Sequence, residues 1–362
     1  MSTNSQERPY LKTVRASFDI GSSSTKMQCC EYSRNGGINT LSGQERPVPF
    51  GANYLKSSDG SLSESIQLSG LAVLQELKAE AEHFGASEFS AIATEVFRKA
   101  SNGNEYLDRV RFLGISVTVL TQELEARLGF DSALIMSGME LDATEVCVWD
   151  SGGASFQISS RNREEENGTY VSTFHTYMGS LGSSVCTAML MREVQQRSYS
   201  KDDTPNPVSF EEASQLVDRL MTQLSHVPSW LAGKKEVVAV TGKNSIFKLC
   251  CNVLVELSKQ DKHDGTWRLG LFRTDSLPDS PTITSFTCAD AELALRTCTG
   301  CSDNELCQYV NFQYSDGPKV VVPKLCLLVA VMRHTGIQRV STVKCIGSCV
   351  GVICNELFWE HE

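Results

Sequence analysis

Phe18-Asp19-Ile20-Gly21-Ser22-Ser23-Ser24-Thr25-Lys26 stops a hydrophobic run at an aspartate and breaks into small residues. Val148-Trp149-Asp150-Ser151-Gly152-Gly153-Ala154-Ser155-Phe156 does the same. Each stretch reads as strand, tight turn, strand. Small residues let backbone N–H groups approach a phosphate closely, and they supply positive φ where a turn needs it. The aspartate adds the negative charge that holds a divalent cation beside that phosphate. About the length of a small α/β domain separates the two stretches. Together they point to a duplicated unit whose turns face each other across a phosphate–metal cleft.

At 362 residues the chain is too long for one compact core and suits two domains. The expected division is an N-terminal α/β domain over 1–143, whose first 13 residues form a disordered arm, and a second α/β domain over 144–362 that carries the C-terminal helix and strand. The hydrophobic fraction of 41% is that of an ordinary globular protein. A formal net charge of −10 argues against general nucleic-acid binding, which needs a basic footprint. It leaves room for an anionic substrate, captured locally by Lys, Arg, backbone amides and metal. No apolar run approaches bilayer-spanning length, and Met1 to Arg15 lacks a signal-peptide core. Fourteen cysteines, several in apolar stretches, read as reduced thiols in a cytoplasmic protein.

The first unit opens on a meander: Val14 to Ile20, Lys26 to Tyr32 and Ile38 to Pro49. Ser63 to Phe84 has helical spacing, Phe89 to Thr94 is a buried strand, and Asn104 to Leu113 is a helix stopped by Gly114. Ile115 to Leu120 is a strand and Glu123 to Ser137 a helix. The second unit repeats the opening with Glu145 to Asp150, Ser155 to Ser160 and Tyr170 to Met178. Helices then follow over Gly182 to Gln196, Ser209 to about His226, Ser245 to Gln260 and Pro323 to His334. Strands cover Glu236 to Val240 and Ile337 to Ile346. Gln260 to Thr284 reads as a surface insertion.

Four blocks in this order resemble the exopolyphosphatase and guanosine-pentaphosphate phosphohydrolase (Ppx/GppA) family. They are Asp19 to Ser24, Ala93-Thr94-Glu95-Val96-Phe97-Arg98-Lys99-Ala100-Ser101-Asn102, Leu120-Thr121-Gln122-Glu123-Leu124-Glu125-Ala126-Arg127-Leu128, and Asp150 to Ser155. Weaker echoes are Met178 to Leu181, Val240-Thr241-Gly242 and Pro323 to Val340. The resemblance implies two actin-like domains of the ribonuclease H-like, sugar-kinase and actin superfamily, with an interdomain cleft. It implies Mg²⁺-dependent (or Mn²⁺-dependent) release of terminal orthophosphate from inorganic polyphosphate. Guanosine pentaphosphate is the alternative substrate, and a non-catalytic phosphate sensor of the same fold is the rival of another class. The expected partners are therefore polyphosphate or a phosphorylated guanine nucleotide, with a homodimer as the expected assembly and neither nucleic acid nor membrane.

Each site residue carries a role and a plainer reading. Asp19 and Asp150 are the expected metal ligands, or else turn and cap residues. Gly21, Ser22, Ser23, Ser24, Gly152, Gly153, Ala154 and Ser155 are expected to cradle phosphates, or else to form ordinary hairpin turns. Gly242 and Lys243 extend that set, although Lys243 equally suits solvent. Arg98, read as ending a strand and beginning a loop, can clamp a phosphate with its planar fork, or pair with an acid. Glu125 matches the family glutamate that deprotonates water, or is a helix-start charge. Arg127 is expected to pair with a carboxylate. Against the family pattern, Ser151, Ala154, Phe156 and Gln157 replace Ile, Gly, Thr and Glu of the second loop. The arginine of the C-terminal turn is missing from Cys345 to Gly351. Cys288, Cys298, Cys301 and Cys307 are either a zinc set or free thiols.

Overall fold

β1 (Thr13–Ile20) alternates Arg15, Ala16, Ser17, Phe18, Asp19 and Ile20, and all six are buried. Successive side chains of a strand point to opposite faces. Ala16, Phe18 and Ile20 therefore enter a hydrophobic core. Arg15, Ser17 and Asp19 share the other face, so this strand is covered on both sides, once by apolar and once by polar partners.

The computed structural model describes residues 12–33, 37–54, 56–137, 146–166, 169–199, 203–242, 245–261, 284–310 and 317–359. Residues 262–283 of the expected insertion and nearly all of the expected N-terminal arm lie outside these residues; Gln260 and Asp261 end a helix, and Thr13 already belongs to β1.

The first unit continues with β2 (Ser24–Ser33), β3 (Gly37–Pro47), α1 (Phe50–Tyr54), α2 (Glu64–His83), β4 (Glu88–Ala93), α3 (Glu95–Lys99), α4 (Gly103–Phe112) and β5 (Ser116–Val119). Ser63 caps α2 by accepting from the Ile66 N–H, and Gly114 takes the left-handed conformation that stops α4. The sheet order is β3-β2-β1-β4-β5. β1, β2 and β3 form an antiparallel meander, while β4 and β5 join in parallel.

The second unit comprises α5 (Gln122–Ser137), β6 (Cys147–Ser151), β7 (Phe156–Glu166), β8 (Thr169–Gly179), α6 (Ser183–Met189), α7 (Phe210–Gln223), α8 (Ser229–Ala232), β9 (Glu236–Thr241), α9 (Ile246–Asp261), β10 (Ser285–Thr287), α10 (Cys288–Cys298), α11 (Asp303–Leu306), α12 (Val321–Thr335) and β11 (Arg339–Lys344). Its sheet order is β10-β11-β9-β6-β7-β8. Leaving out the edge strand β10, this is the first sheet's order again. The strand directions match as well: an antiparallel meander β6-β7-β8, then β9 and β11 in parallel. α6 runs into one π-helical stretch, Leu190–Val194. α7 opens with a capping box between Ser209 and Glu212. The apolar α12 is buried along nearly its whole length among α6, α7, α9 and α10.

α13 (Cys349–Cys354) returns to the first sheet, so the two compact units are Met1–Leu120 with Cys349–Glu362, and Thr121–Ser348. α5 thus counts with the second unit, although a boundary at 143/144 would put it in the first. The reason is packing: α5 lies on β6, β7, β9 and β11, while α13 lies on β1 and β2. No helix among the described residues is long and apolar enough to cross a membrane.

Polar groups fasten α13 to β1. The Ser17 hydroxyl donates to the Cys349 carbonyl at 2.7 Å. Arg15 Nε reaches Glu88 at 2.7 Å, and Arg15 also donates to Glu356 and to the Ile353 carbonyl. Its guanidinium lies over the rings of Tyr32 and Trp359, 4.4 and 4.7 Å from their centroids. Arg15→Met should therefore lower unfolding stability by about 2–3 kcal/mol, because the substitution takes the cation away from Glu88 and Glu356 beside the sheet. Urea denaturation measures this; a loss below about 0.5 kcal/mol, the level of an ordinary surface change, would contradict the hub.

Candidate functional site

The two aspartate turns close in the same way. The Gly21 N–H donates to the Ser24 carbonyl at 3.0 Å, and the Gly152 N–H to the Ser155 carbonyl at 2.8 Å. In the first loop two further carbonyls are held from outside. Gly51 N–H donates to the Ser22 carbonyl at 2.7 Å, and Val48 N–H to the Ser23 carbonyl at 3.1 Å. A trans peptide carries its C=O and the next N–H in opposite directions. The N–H groups of Ser23 and Ser24 thus point away from the segments that hold these carbonyls. Gly21 and Ser22 are half-buried and Ser23 is exposed. Ser24 is buried, and its hydroxyl donates to Glu45 at 2.8 Å. Its side chain is thereby committed to the protein.

Asp19, 6% exposed, pairs in register with Lys26 on β2. The Lys26 ammonium stands 3.6 Å from Asp19 Oδ2. Lys26 pairs in turn with Glu45 on β3. Asp19, Lys26 and Glu45 form one row on one face of the first sheet.

The second loop is clamped by the start of α6. Ser184 N–H donates to the Gly153 carbonyl at 3.0 Å. Gly182 packs so closely that a Cβ there would lie 2.3 Å from the Gly153 carbonyl carbon and oxygen, and 2.4 Å from the Ala154 nitrogen. Ser151 is the last residue of β6, and Gly153, Ala154 and Ser155 are half-buried with Gly152 exposed. The Ala154 methyl leaves the turn's closing hydrogen bond in place. Phe156 is wholly buried and faces Gly179 across the ladder. A Cβ on Gly179 would fall 2.2 Å from the Phe156 ring. The larger residue is therefore matched by an opposing glycine.

Asp150 is half-buried and pairs in register with Gln157, which is 4% exposed. Its Oδ2 lies 3.9 Å from the position of a Cβ built on Gly129 of α5. Glu125 sits one turn before Gly129, so the two share a face of the helix. Thr121 starts that helix, accepting the Leu124 N–H on its hydroxyl at 3.2 Å and the Glu125 N–H on its carbonyl at 3.0 Å. Glu125 is half-buried in the first turn, where the helix dipole favours its charged form. In the second unit Glu125 thus lies on the helix face whose Gly129 adjoins Asp150.

Arg98 does not end a strand. β4 stops at Ala93, and Arg98 belongs to the short helix α3, exposed, with Nη1 donating to the Leu120 carbonyl. Thr94 N–H bonds back to Ile20, which turns the chain out of the sheet one residue after β4. Arg127 lies over the Phe174 ring at 5.2 Å, and Asp131, the nearby carboxylate, takes Arg161 at 2.7 Å. Gly242 follows β9 and is half-buried; Lys243 lies outside the described residues. Among the described residues, no three of His, Cys, Asp and Glu converge as metal ligands. Cys288, Cys298, Cys301 and Cys307 are free thiols, and burial pushes Cys288, Cys298 and Cys301 up, away from the thiolate that zinc needs.

Glu45, Gly51, Gly129 and Gly182 escape a reading of the sequence. Each acts on a loop from another element. Only the glycine following Met178-Gly179-Ser180-Leu181 sits close enough to a family echo to have drawn notice.

Two sheets of one order, each entered through an aspartate turn, define an actin-like α/β protein. The chain belongs to the Ppx/GppA phosphatase family, whose sequence model matches residues 31–253, more than half of the chain. The Aquifex aeolicus member of that family is similar at 20% identity, with 97% of this chain and 100% of that chain covered and a TM-score of 0.64. An exopolyphosphatase from Cytophaga hutchinsonii is similar at 14% identity, with 94% and 96% covered and a TM-score of 0.65. At these identities the likeness is one of fold.

Gly182→Ala should force the second loop off its clamp and lower unfolding stability by about 1–3 kcal/mol, the usual range for overpacking. Gly233→Ala, where a Cβ meets nothing within 4 Å, serves as the control and should stay at or above wild type. Equal melting curves for both variants would contradict the clamp.

Proposed function

We propose that this protein hydrolyses terminal phosphoanhydride bonds of inorganic polyphosphate. The observation that carries the reading is the seating of Asp150 against Gly129, one turn from Glu125 on the same helix face. It supports a pairing of Glu125 as base with Asp150 as metal ligand at the second loop. In the reaction, Glu125 accepts a proton from water as the water oxygen attacks the terminal phosphorus. The bond to the bridging oxygen breaks, and the shortened chain leaves with the bridging oxygen's electron pair. Backbone N–H groups of the second loop bind the non-bridging oxygens.

The donor set fits Mg²⁺ or Mn²⁺. Both aspartates offer hard oxygen ligands of the kind these ions take. Asp19 is the equivalent carboxylate of the first unit, and Asp150 would hold the ion in the second. When bound, it neutralises phosphate charge and polarises the phosphorus–oxygen bonds.

Altered side chains in the second loop are compatible with turnover, because what the chemistry asks of this loop is backbone, and its turn closes as the first one does. Gln157 supports a second reading. It puts a neutral amide directly across from Asp150 where the family has a carboxylate, which suits a phosphate sensor without turnover. Guanosine pentaphosphate shares the terminal anhydride and is the alternative substrate.

Orthophosphate release from polyphosphate and from guanosine pentaphosphate, each with Mg²⁺, tests these readings. We expect release from polyphosphate to be the faster, and Glu125→Gln to lower kcat about 10²–10⁴-fold, as loss of a general base does. Equal rates for wild type and variant would remove Glu125 from the mechanism. Binding without release by the wild type would establish the sensor instead.

A further inference from the structure

The two loops are equivalent in backbone, and both are clamped by main chain: the first through the Val48 and Gly51 N–H groups, the second through Ser184 N–H and the close approach of Gly182. The first has a side-chain anchor in addition, Glu45. That residue is on β3, an edge strand, where a glutamate would ordinarily face water. It is 6% exposed instead. Its Oε1 accepts the Ser24 hydroxyl at 2.8 Å, and its register partner is Lys26, which is itself paired with Asp19. The matching position in the second unit is Met178, the register partner of Gln157. A carboxylate buried to this degree is destabilising unless it is hydrogen-bonded and faces a charge. Its placement here needs a reason beyond filling space.

We propose that Glu45 is a positioning residue for the first phosphate loop. Ser24 is the residue whose carbonyl closes the turn onto Gly21. Tying its hydroxyl to β3 fixes the corner of the loop, and with it the direction of the Ser23 and Ser24 N–H groups. Glu45 touches no phosphate itself. The loop acts on substrate, and Glu45 acts through Ser24. The substrate arm of this inference rests on the proposed phosphate chemistry; the loop arm does not.

Two measurements keep them apart. The first is hydrogen exchange of the amides of residues 20–25 in the full-length protein without ligand. Losing the bond to the carboxylate should raise exchange there about tenfold or more in Glu45→Ala and in Ser24→Ala. The double variant should add nothing to either single change. Glu45→Gln keeps an acceptor oxygen for Ser24 and should restore exchange to near the wild-type rate. The second is steady-state hydrolysis of polyphosphate. Misplaced loop amides should raise KM about tenfold in Glu45→Ala with kcat within about twofold, and Glu45→Gln should recover most of it. Unchanged exchange in both Glu45→Ala and Ser24→Ala overturns the proposal. So does a Glu45→Gln protein as loosened as Glu45→Ala, which would assign the effect to charge beside Lys26. If Glu45→Ala does not fold, Ser24→Ala and Glu45→Gln decide alone. If the wild type releases no phosphate, the enzymatic reading fails while the exchange comparison still decides the role of Glu45.

Discussion

A hydrogen bond from a glycine N–H to the carbonyl three residues on, made at Gly21 and again at Gly152, sets the shape of both aspartate turns. It folds the chain back into an antiparallel strand within four residues. It also spends the carbonyl of the closing residue inside the turn, so the remaining peptide groups are sorted. Carbonyls face the protein, held by Val48, Gly51 or Ser184, and the N–H groups that follow them face the other way. An array of such donors is an anion site whatever the side chains are. Each strand that enters the turn delivers an aspartate at its last or next-to-last position. The partner strand decides what that aspartate meets: lysine in the first unit, glutamine in the second.

Family departures take on a different weight in this light. Ser151 belongs to the strand, the Ala154 methyl leaves the turn closed, and Phe156 is absorbed by an opposing glycine. These three are changes of packing. Gln157 is different, because it alters the charge next to Asp150 without altering the backbone. Loss of side-chain identity along a loop is therefore a poor guide to loss of function where the ligand is bound by main chain, and a better one where a carboxylate has been neutralised.

β1 shows how the polar half of the structure is supported. Most central strands in such sheets are apolar on both faces. Here one face carries Arg15, Ser17 and Asp19, and the C-terminal segment covers it with carbonyls, Glu356 and Trp359. Asp19 ends that polar row. The fold can keep a carboxylate at the mouth of a buried strand because Lys26 neutralises it, and because the residues behind it are hydrogen-bonded in turn.

Much of this was legible from the chain alone, for a local reason. Strand alternation, helix caps such as Ser63 and Ser209, the stop at Gly114 and the paired aspartate turns are all set by neighbours within a few residues, and they repeat in order. They determined the fold class, the duplication and the loop residues. Tertiary structure decided what depends on distant partners. It put α5 with the second unit, returned α13 to the first, drew Arg98 into a helix, buried Glu45 on an edge strand, and required glycine at 179 and 182. None of these has a signature in the sequence, because burial and close approach are properties of two segments at once, and a single segment records only its own periodicity.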